Sequence, residues 1–268
     1  MSTAVYDVAQ SIQLRKQEID ILAKEAERIA AKNELLYKSL CRACCVMIAS
    51  HLEGFVKDLT RSLVRDFNYN HTAFSQMPAA MQRTFCEKIA FYEGVEKKDV
   101  ETRISQLKSF FTSNSVNIDF DAFNYKQNVN KNPTGDVIDA AFSKIGVPNI
   151  LGSLSGSNLE AVFDNEYRTN YKIMRDMRRM RSTTYRFPYQ KSSPVIGFDF
   201  KRAKEQKGRQ VASLWHTYVE EIMTRRHQIA HGDTMDNVTT HENLLLDAVK
   251  LEALMHGILF ASAEFLTS

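Results

Sequence analysis

A hydrophobic repeat in residues 5–47 constrains the fold of this chain more than any other feature. Apolar residues recur there at alternating spacings of three and four, and Arg15 and Asn33 interrupt the pattern. A strand would require alternation at every second residue, so the spacing predicts one long helix, or two helices with a bend. Between residues 40 and 63 apolar side chains occupy most sides, which predicts a helix in the centre of the fold.

The last third of the chain shows the same helical periodicity. Its apolar residues share one helical face: Val211, Leu214, Trp215, Tyr218, Ile222 and Ile229. We expect this helix to end at Gly232, because a residue without a Cβ adopts the left-handed conformation at low cost. Thr239 and Glu242 have the spacing of a capping box for one more helix. With 5 Pro and 10 Gly in 268 residues, the chain is predicted to be all-α.

The middle of the chain is less regular. Short helical patterns alternate there with polar turns such as TSNSVN, NVNKNPTG and SGSN. The stretch RFPYQKSSPVIGF has two prolines and little periodicity, and is predicted to be an exposed loop. We therefore expect a single domain over residues 1–268, with core helices from 1–70 and 206–268 and an inserted lobe of helices and loops at 71–205.

The four cysteines are too few and too clustered for a disulfide framework: Cys41, Cys44, Cys45 and Cys86. We expect buried free thiols in a reducing compartment, since only Cys41 and Cys44 have the spacing of a zinc pair. The N-terminus does not show the basic segment followed by an apolar segment that is typical of a secretory signal peptide. No stretch reaches the roughly 18 uncharged apolar residues of a membrane span. These features predict a cytoplasmic protein with no membrane partner.

Positive charge is concentrated in residues 167–210. This segment carries a net charge of +10, whereas the whole chain carries +3. Aromatic residues are interleaved with the charges: Tyr171, Tyr185, Phe187 and Tyr189. Such a segment is either a solvated helix face or a surface that binds the RNA backbone while aromatic rings stack on bases. The candidate RNA-binding residues are Arg175, Arg178, Arg179, Arg181, Arg186 and Lys191.

The stretch TRRHQIAHGD, residues 224–233, places two arginines and two histidines at the end of an amphipathic helix. On an ideal helix Arg226 falls at the edge of the apolar stripe, about 40° from Ile222. A guanidinium there needs a partner, and the carboxylate of Glu53, which has apolar or small neighbours in LEGF, is the candidate. His227 and His231 lie one turn apart on the opposite side, and Arg225 is expected to face solvent.

Three interpretations of this stretch remain open. The charged residues could form a solvated last turn that favours the helix dipole. The HQIAH pair could bind a metal, but Gln228 stands where a zinc protease carries its general-base Glu, and no third ligand has a convincing spacing. The third interpretation is metal-free RNA cleavage, in which histidine moves protons and arginine stabilises the charged phosphate.

The angular separation of the two candidate residues favours a dimer. Arg226 and His231 are about 140° apart on a straight helix, so one helix does not obviously direct both at one substrate. Two antiparallel copies of the helix, related by a two-fold axis, would set His231 of each subunit near Arg226 of both.

The stretch RHQIAH, followed by Gly232 and Asp233, resembles the Arg-x4-His motif of the HEPN superfamily. That superfamily consists of helical bundles, many of them metal-independent endoribonucleases in bacterial toxin, anti-phage and CRISPR-linked systems. YKSLCRACCVMIASHLEGFVKDL is similar to the early core helix of stand-alone bacterial members, and PTGDVIDAAFSKIG to a middle region of the same branch. The resemblance is good over residues 35–67 and 206–268. It implies a HEPN-type bundle with a long N-terminal helix and a helical insertion in the middle.

The resemblance also implies roles for individual residues. Arg226 and His231 would be the catalytic pair at a homodimer interface, and Glu53 would position one of them. His227 stands where the family often has Asn, so its role, in chemistry or in orienting phosphate, is left open. Asp233 occupies the position at which members modified by a partner nucleotidyltransferase have Tyr, so that form of control is not expected.

The implied activity is an endoribonuclease without cofactor or metal that leaves a 2′,3′-cyclic phosphate and a 5′-hydroxyl. Its expected partners are RNA, a second copy of the chain and an antitoxin or defence-system protein, in a toxin or anti-phage setting. The alternative is a catalytically inactive HEPN-like dimer that binds a nucleotide or a partner protein.

Overall fold

The computed structural model describes residues 2–71, 73–91, 96–119, 133–190, 198, 200–201, 213–232 and 239–267. Every regular element in these ranges is helical, which confirms the all-α prediction. The α-helices are α1 (Ala4–Ile29), α2 (Glu34–Asn70), α3 (Ala79–Ala90), α4 (Lys97–Ser113), α5 (Gly135–Ser143), α6 (Ile150–Ser153), α7 (Tyr167–Met180), α8 (Leu214–His231) and α9 (His241–Thr267). Short 3-10 turns span Phe74–Gln76, Asn158–Asp164 and Arg181–Thr184.

The N-terminal repeat forms two helices that pack against each other. Asn33, one of the two residues that interrupt the apolar pattern, caps α2 by accepting a hydrogen bond from the backbone N–H of Leu36 at 3.0 Å. Arg15, the other interruption, forms an ion pair with Asp58 of α2 at 2.6 Å. Both exceptions to the hydrophobic pattern therefore have a structural reason.

The most enclosed helix is α9. Every residue in 251–263 is buried, and α1, α2 and α7 pack around it. The helix at residues 40–63 is also part of the core, as expected, but it is not buried on all sides, because α2 keeps Glu53, Lys57 and Asp58 partly exposed along one side. By length and composition alone α2 could cross a membrane, but it packs against α1, α8 and α9, as a core helix does.

The basic helix α7 packs on α9 through a polar network that reaches the interior. Nε of Arg181 donates to Nε2 of His256 at 3.2 Å, and Nδ1 of His256 bonds the carbonyl oxygen of Glu252 at 2.9 Å. A second nitrogen of Arg181 donates to Gln13 of α1 at 3.2 Å. The network fixes the end of α7 against both α1 and α9.

The segment that begins RFPY is not wholly exposed. The hydroxyl of Tyr189, which is buried, donates to Asp66 at 2.8 Å, and the ring of Phe187 packs edge-on against that of Phe67. Asp66 also accepts from the first backbone N–H groups of α1. The prediction of an exposed loop holds for Arg186, Pro188 and Gln190 but is wrong for Phe187 and Tyr189, because these two rings cover the start of α1 and the end of α2. Residues 191–197 lie outside the described part.

Candidate functional site

Helix α8 holds the histidine and arginine cluster at its C-terminal end. Ser213 caps its first turn by accepting from the N–H of His216 at 3.3 Å. Trp215, Tyr218 and Ile222 are buried, as the periodicity predicts, and α8 packs on α2 through this face. The helix ends at Gly232, whose φ of 73° is left-handed, as expected.

His227 and His231 lie side by side in the last turn of α8. Their ring centroids are 4.2 Å apart, and both side chains are exposed. The predicted placement of the two rings on one side of the helix is confirmed. Two imidazoles at this distance can both reach one bound phosphodiester, and solvent exposure leaves room for an RNA strand.

The structure reverses the environment predicted for one arginine. Arg225, expected to face solvent, is partly buried and forms an ion pair with Asp247 of α9 at 2.7 Å. Burial opposes the charged guanidinium, but the Asp247 carboxylate more than offsets it, so the pKa of Arg225 is raised. Arg226 is half-buried, as a residue at the edge of the apolar stripe should be.

Glu53 is not the buried carboxylate that its apolar neighbours suggested. Its side chain is 32% exposed and forms an ion pair with Lys57, one turn further along α2, at 2.5 Å. Its role in positioning Arg226 or His231 stays a prediction.

A buried acid that lies beside the end of α8 and pairs with its arginine is Asp247, 11% exposed, which the sequence reasoning missed. The available signal was its position inside LLLDAVKLEALM, an apolar run in which a charged side chain needs a partner.

The candidate RNA-binding arginines divide into exposed and structural ones. Arg175, Arg179 and Arg186 are exposed. Arg178 is partly exposed but donates two hydrogen bonds, at 2.8 and 2.9 Å, to the fully buried carboxylate of Glu252. Bonding to that carboxylate raises the pKa of Arg178.

One member of the predicted RNA-binding set is buried, and another falls outside the described residues. The prediction that Arg181 contacts RNA is contradicted, because its side chain is buried in the network with His256. Lys191 lies outside the described residues. Of the aromatic residues expected to stack on bases, Tyr171 and Tyr185 are exposed, whereas Tyr189 is buried.

Within the described ranges, no group of three or more His, Cys, Asp and Glu side chains is arranged to hold a metal ion. All four cysteines are buried and free.

Comparison with known proteins gives one match. A family model described as RiboL-PSP-HEPN matches residues 10–258. This range runs from the first turns of α1 into the buried part of α9, and it includes the whole of α8 with its cluster. No curated protein and no solved structure matches the chain.

Proposed function

This chain belongs to the RiboL-PSP-HEPN family, and we propose that it is an endoribonuclease that cleaves RNA without a metal. The observation that carries the proposal is the end of α8, where two exposed imidazoles 4.2 Å apart share a turn and a half of helix with the half-buried Arg226. These are the groups that cleavage by the ribose 2′-hydroxyl requires: a proton acceptor, a proton donor and a fixed positive charge.

In the proposed reaction, a histidine accepts the proton of the 2′-hydroxyl as its oxygen attacks the adjacent phosphorus. The bond from phosphorus to the 5′-oxygen breaks, and a proton from a protonated histidine goes to that oxygen. The products are a 2′,3′-cyclic phosphate and a 5′-hydroxyl. His231 is the first candidate for proton transfer, and His227 either takes part or orients the phosphate.

The location of the cluster explains why an arginine is needed. Backbone carbonyl groups at the C-terminal end of a helix carry partial negative charge, which opposes a bound phosphate. Side chains must therefore supply the attraction. Arg226 keeps its charge at any physiological pH, and we assign to it the stabilisation of negative charge on the phosphate in the transition state.

A second copy of the chain completes the proposed site. Arg226 and His231 are separated by about 140° around the axis of α8, so a substrate beside one of them does not lie beside the other. A two-fold axis that sets two α8 helices antiparallel would bring His231 of each subunit near both arginines. A strictly monomeric protein with full activity, measured by analytical ultracentrifugation under assay conditions, would overturn this arrangement.

The test is cleavage of a mixed RNA by purified protein in the presence of EDTA. Arg226→Ala and His231→Ala are each expected to reduce the rate about 100-fold or more, the usual contribution of such a group. Gln228→Ala, between the two histidines, and Arg28→Ala, an exposed arginine of α1, are the matched controls and should cleave like the wild type.

The outcomes separate the alternatives. Mass spectrometry should detect 2′,3′-cyclic phosphate ends on the wild-type products. Equal rates in all five proteins would remove the proposed site, and loss of wild-type activity in EDTA would point to metal-dependent chemistry. RNA that remains intact with every protein would favour a binding module that uses the same surface without cleavage.

We further propose that the enzyme acts in the cytoplasm as a toxin or anti-phage effector restrained by a partner protein. The support is the family and the exposed cluster, since an exposed ribonuclease site requires control in the cell. Induced expression in bacteria should arrest growth with the wild type but not with His231→Ala. Unimpaired growth at equal protein levels would contradict the toxin role.

A further inference from the structure

A cavity of about 880 Å³ lies between α7 and α9. Its apolar lining includes Met174, Leu245 and Val249, and its size is in the range of small-molecule sites. It is lined by none of the residues at the end of α8 from Arg226 onward, so it is separate from the proposed cleavage site.

The buried side chain of Asn170 contributes to the cavity wall. It is 7% exposed, and its Oδ1 atom has no hydrogen-bond partner in the described part of the chain. A buried acceptor of this kind is costly when it is left unpaired, so its retention needs a reason. A primary amide offers a donor and an acceptor side by side, which matches the hydrogen-bonding edge of a nucleobase such as adenine.

Two tyrosines border the same cavity. Tyr167 and Tyr171 are 81% and 61% exposed, and their rings are stacked with centroids 6.5 Å apart. Exposed aromatic faces beside a buried amide allow a flat base to stack while its edge is hydrogen-bonded.

Positive charge lies two turns further along α7. Arg179 is exposed and its side chain has no ion pair or hydrogen bond among the described residues. Arg178 uses two of its N–H groups on Glu252, which leaves the other three of its five for a ligand. Arg178 and Arg179 line the same cavity as Asn170.

One carboxylate in the cavity wall limits where the negatively charged part of a ligand could bind. Glu242, at the start of α9, also lines the cavity and would repel a phosphate on its side. The phosphate is therefore expected at the arginines, and the base at Asn170 and the tyrosines.

We propose that this cavity binds one nucleotide. Asn170 bonds the base edge, Tyr167 and Tyr171 stack on its face, and Arg178 and Arg179 hold the phosphate. The nucleotide is either free or part of a single-stranded RNA; the second source rests on the proposed ribonuclease function, in which the cavity would be a substrate subsite remote from the cleavage site.

The experiment measures binding in the full-length His231→Ala protein, so that cleavage does not interfere. The probes are AMP, a fluorescent single-stranded oligoadenylate, and ribose 5-phosphate as the probe without a base. Asn170→Leu, Tyr171→Ala and Arg179→Gln are each expected to weaken nucleotide binding about tenfold. Arg168→Gln, an exposed arginine of α7 outside the cavity, and Tyr69→Ala, an exposed tyrosine of α2, are the matched controls.

Binding of AMP and of the RNA, both weakened by the cavity variants, supports a site open to free nucleotides. Binding of the RNA alone with the same losses supports a strand subsite. No binding of either probe, or ribose 5-phosphate binding as tightly as AMP, would overturn the proposal. If Asn170→Leu fails to fold, Tyr171→Ala and Arg179→Gln, which change exposed side chains, still test the proposal. Cavity variants that bind the probes as tightly as the control variants do would also overturn the proposal.

Cleavage assays with the cavity substitutions in the protein that retains His231 separate this proposal from the proposed cleavage function. If the wild type cleaves RNA and the cavity variants do so with unchanged KM, the subsite fails while the ribonuclease assignment stands. If the His231→Ala protein cleaves like the wild type, the assigned catalytic residue fails, while the measurement with AMP, which has no internucleotide bond to cleave, remains valid.

Discussion

The ion pair between Arg225 and Asp247 is the best place to test how α8 is held. Few backbone contacts join α8 and α9, and the link is made by long side chains: Arg225 reaches Asp247, and the hydroxyl of Tyr218 donates to the Asp247 carbonyl at 2.7 Å. Arg225→Met removes the positive charge and leaves the Asp247 carboxylate buried without it. Breaking a fully buried pair costs about 3–5 kcal/mol. Because the two side chains are 24% and 11% exposed, we expect a loss of about 2–3 kcal/mol in the free energy of unfolding.

The two partners should respond unequally. In Asp247→Asn the long Arg225 side chain can turn its charge toward solvent, so the loss should be nearer 1 kcal/mol. In the double variant Arg225→Met, Asp247→Leu no charge remains buried, and stability should return to within about 1 kcal/mol of the wild type.

Urea denaturation followed by circular dichroism measures these differences. The matched control is Arg28→Met, which removes the arginine of an exposed ion pair with Glu25 and should leave the free energy of unfolding nearly unchanged. The reasoning is refuted if Arg225→Met is no more destabilising than this control, or if the double variant is the least stable of the set.

Three further predictions concern buried or constrained groups. Burial, with the nearby charge of Arg181, lowers the pKa of His256 from 6.5 to about 3. As the pH falls, His256 is therefore protonated in the unfolded chain before it is protonated in the folded protein. Stability should fall by about 1 kcal/mol per pH unit from pH 6.5 to 5 in urea titrations, and a flat profile would contradict the burial of a neutral ring. Burial raises the pKa of the Cys44 thiol to about 12 and that of Cys86 to about 11. Iodoacetamide at pH 8 should therefore alkylate both cysteines in urea but not in the folded protein, and mass spectrometry measures the modification. Equal rates of alkylation in the two conditions would argue against burial of the thiols. Gly232→Ala should lower the free energy of unfolding by about 1 kcal/mol, because a φ of 73° is strained for alanine. Gly232→Asn should lower it less, since asparagine adopts the left-handed conformation more readily. A lower melting temperature for the asparagine variant than for the alanine variant would be inconsistent with the left-handed cap.

The helices and their ends could be predicted because they depend on local information. The spacing of apolar residues identifies α1, α2 and α8, and a glycine after the last periodic residue marks the end of α8. The cap of α9 was missed by one residue: the Oγ1 atom of Thr240, not Thr239, accepts from the N–H of Asn243 at 3.4 Å. Two adjacent threonines offer the same hydroxyl, and only the backbone conformation selects one.

The pairing of charges could not be predicted, because it depends on which helices meet. Glu53 and Asp247 both stand among apolar residues, and periodicity alone does not reveal that only Asp247 is buried beside α8. Arg225 and Arg226 are 100° apart around the helix, and either could be assigned to the interior until the neighbours of α8 are known. The same limit applies to Arg181, whose charge looks like its neighbours' in sequence but is held by His256 inside the fold.

These differences in environment change how much of the basic segment is available to RNA. Each phosphate contact to a single strand contributes about 0.7 to the slope of log affinity against log salt concentration. Arg179 is exposed and without a partner among the described residues, so Arg179→Gln should reduce the slope by about 0.7. Arg181 is buried, and Arg181→Gln should leave the slope unchanged while lowering the free energy of unfolding. Fluorescence anisotropy with a labelled RNA, in His231→Ala protein at several salt concentrations, measures both slopes. An equal decrease in the two variants would show that burial does not decide which arginines meet the phosphates.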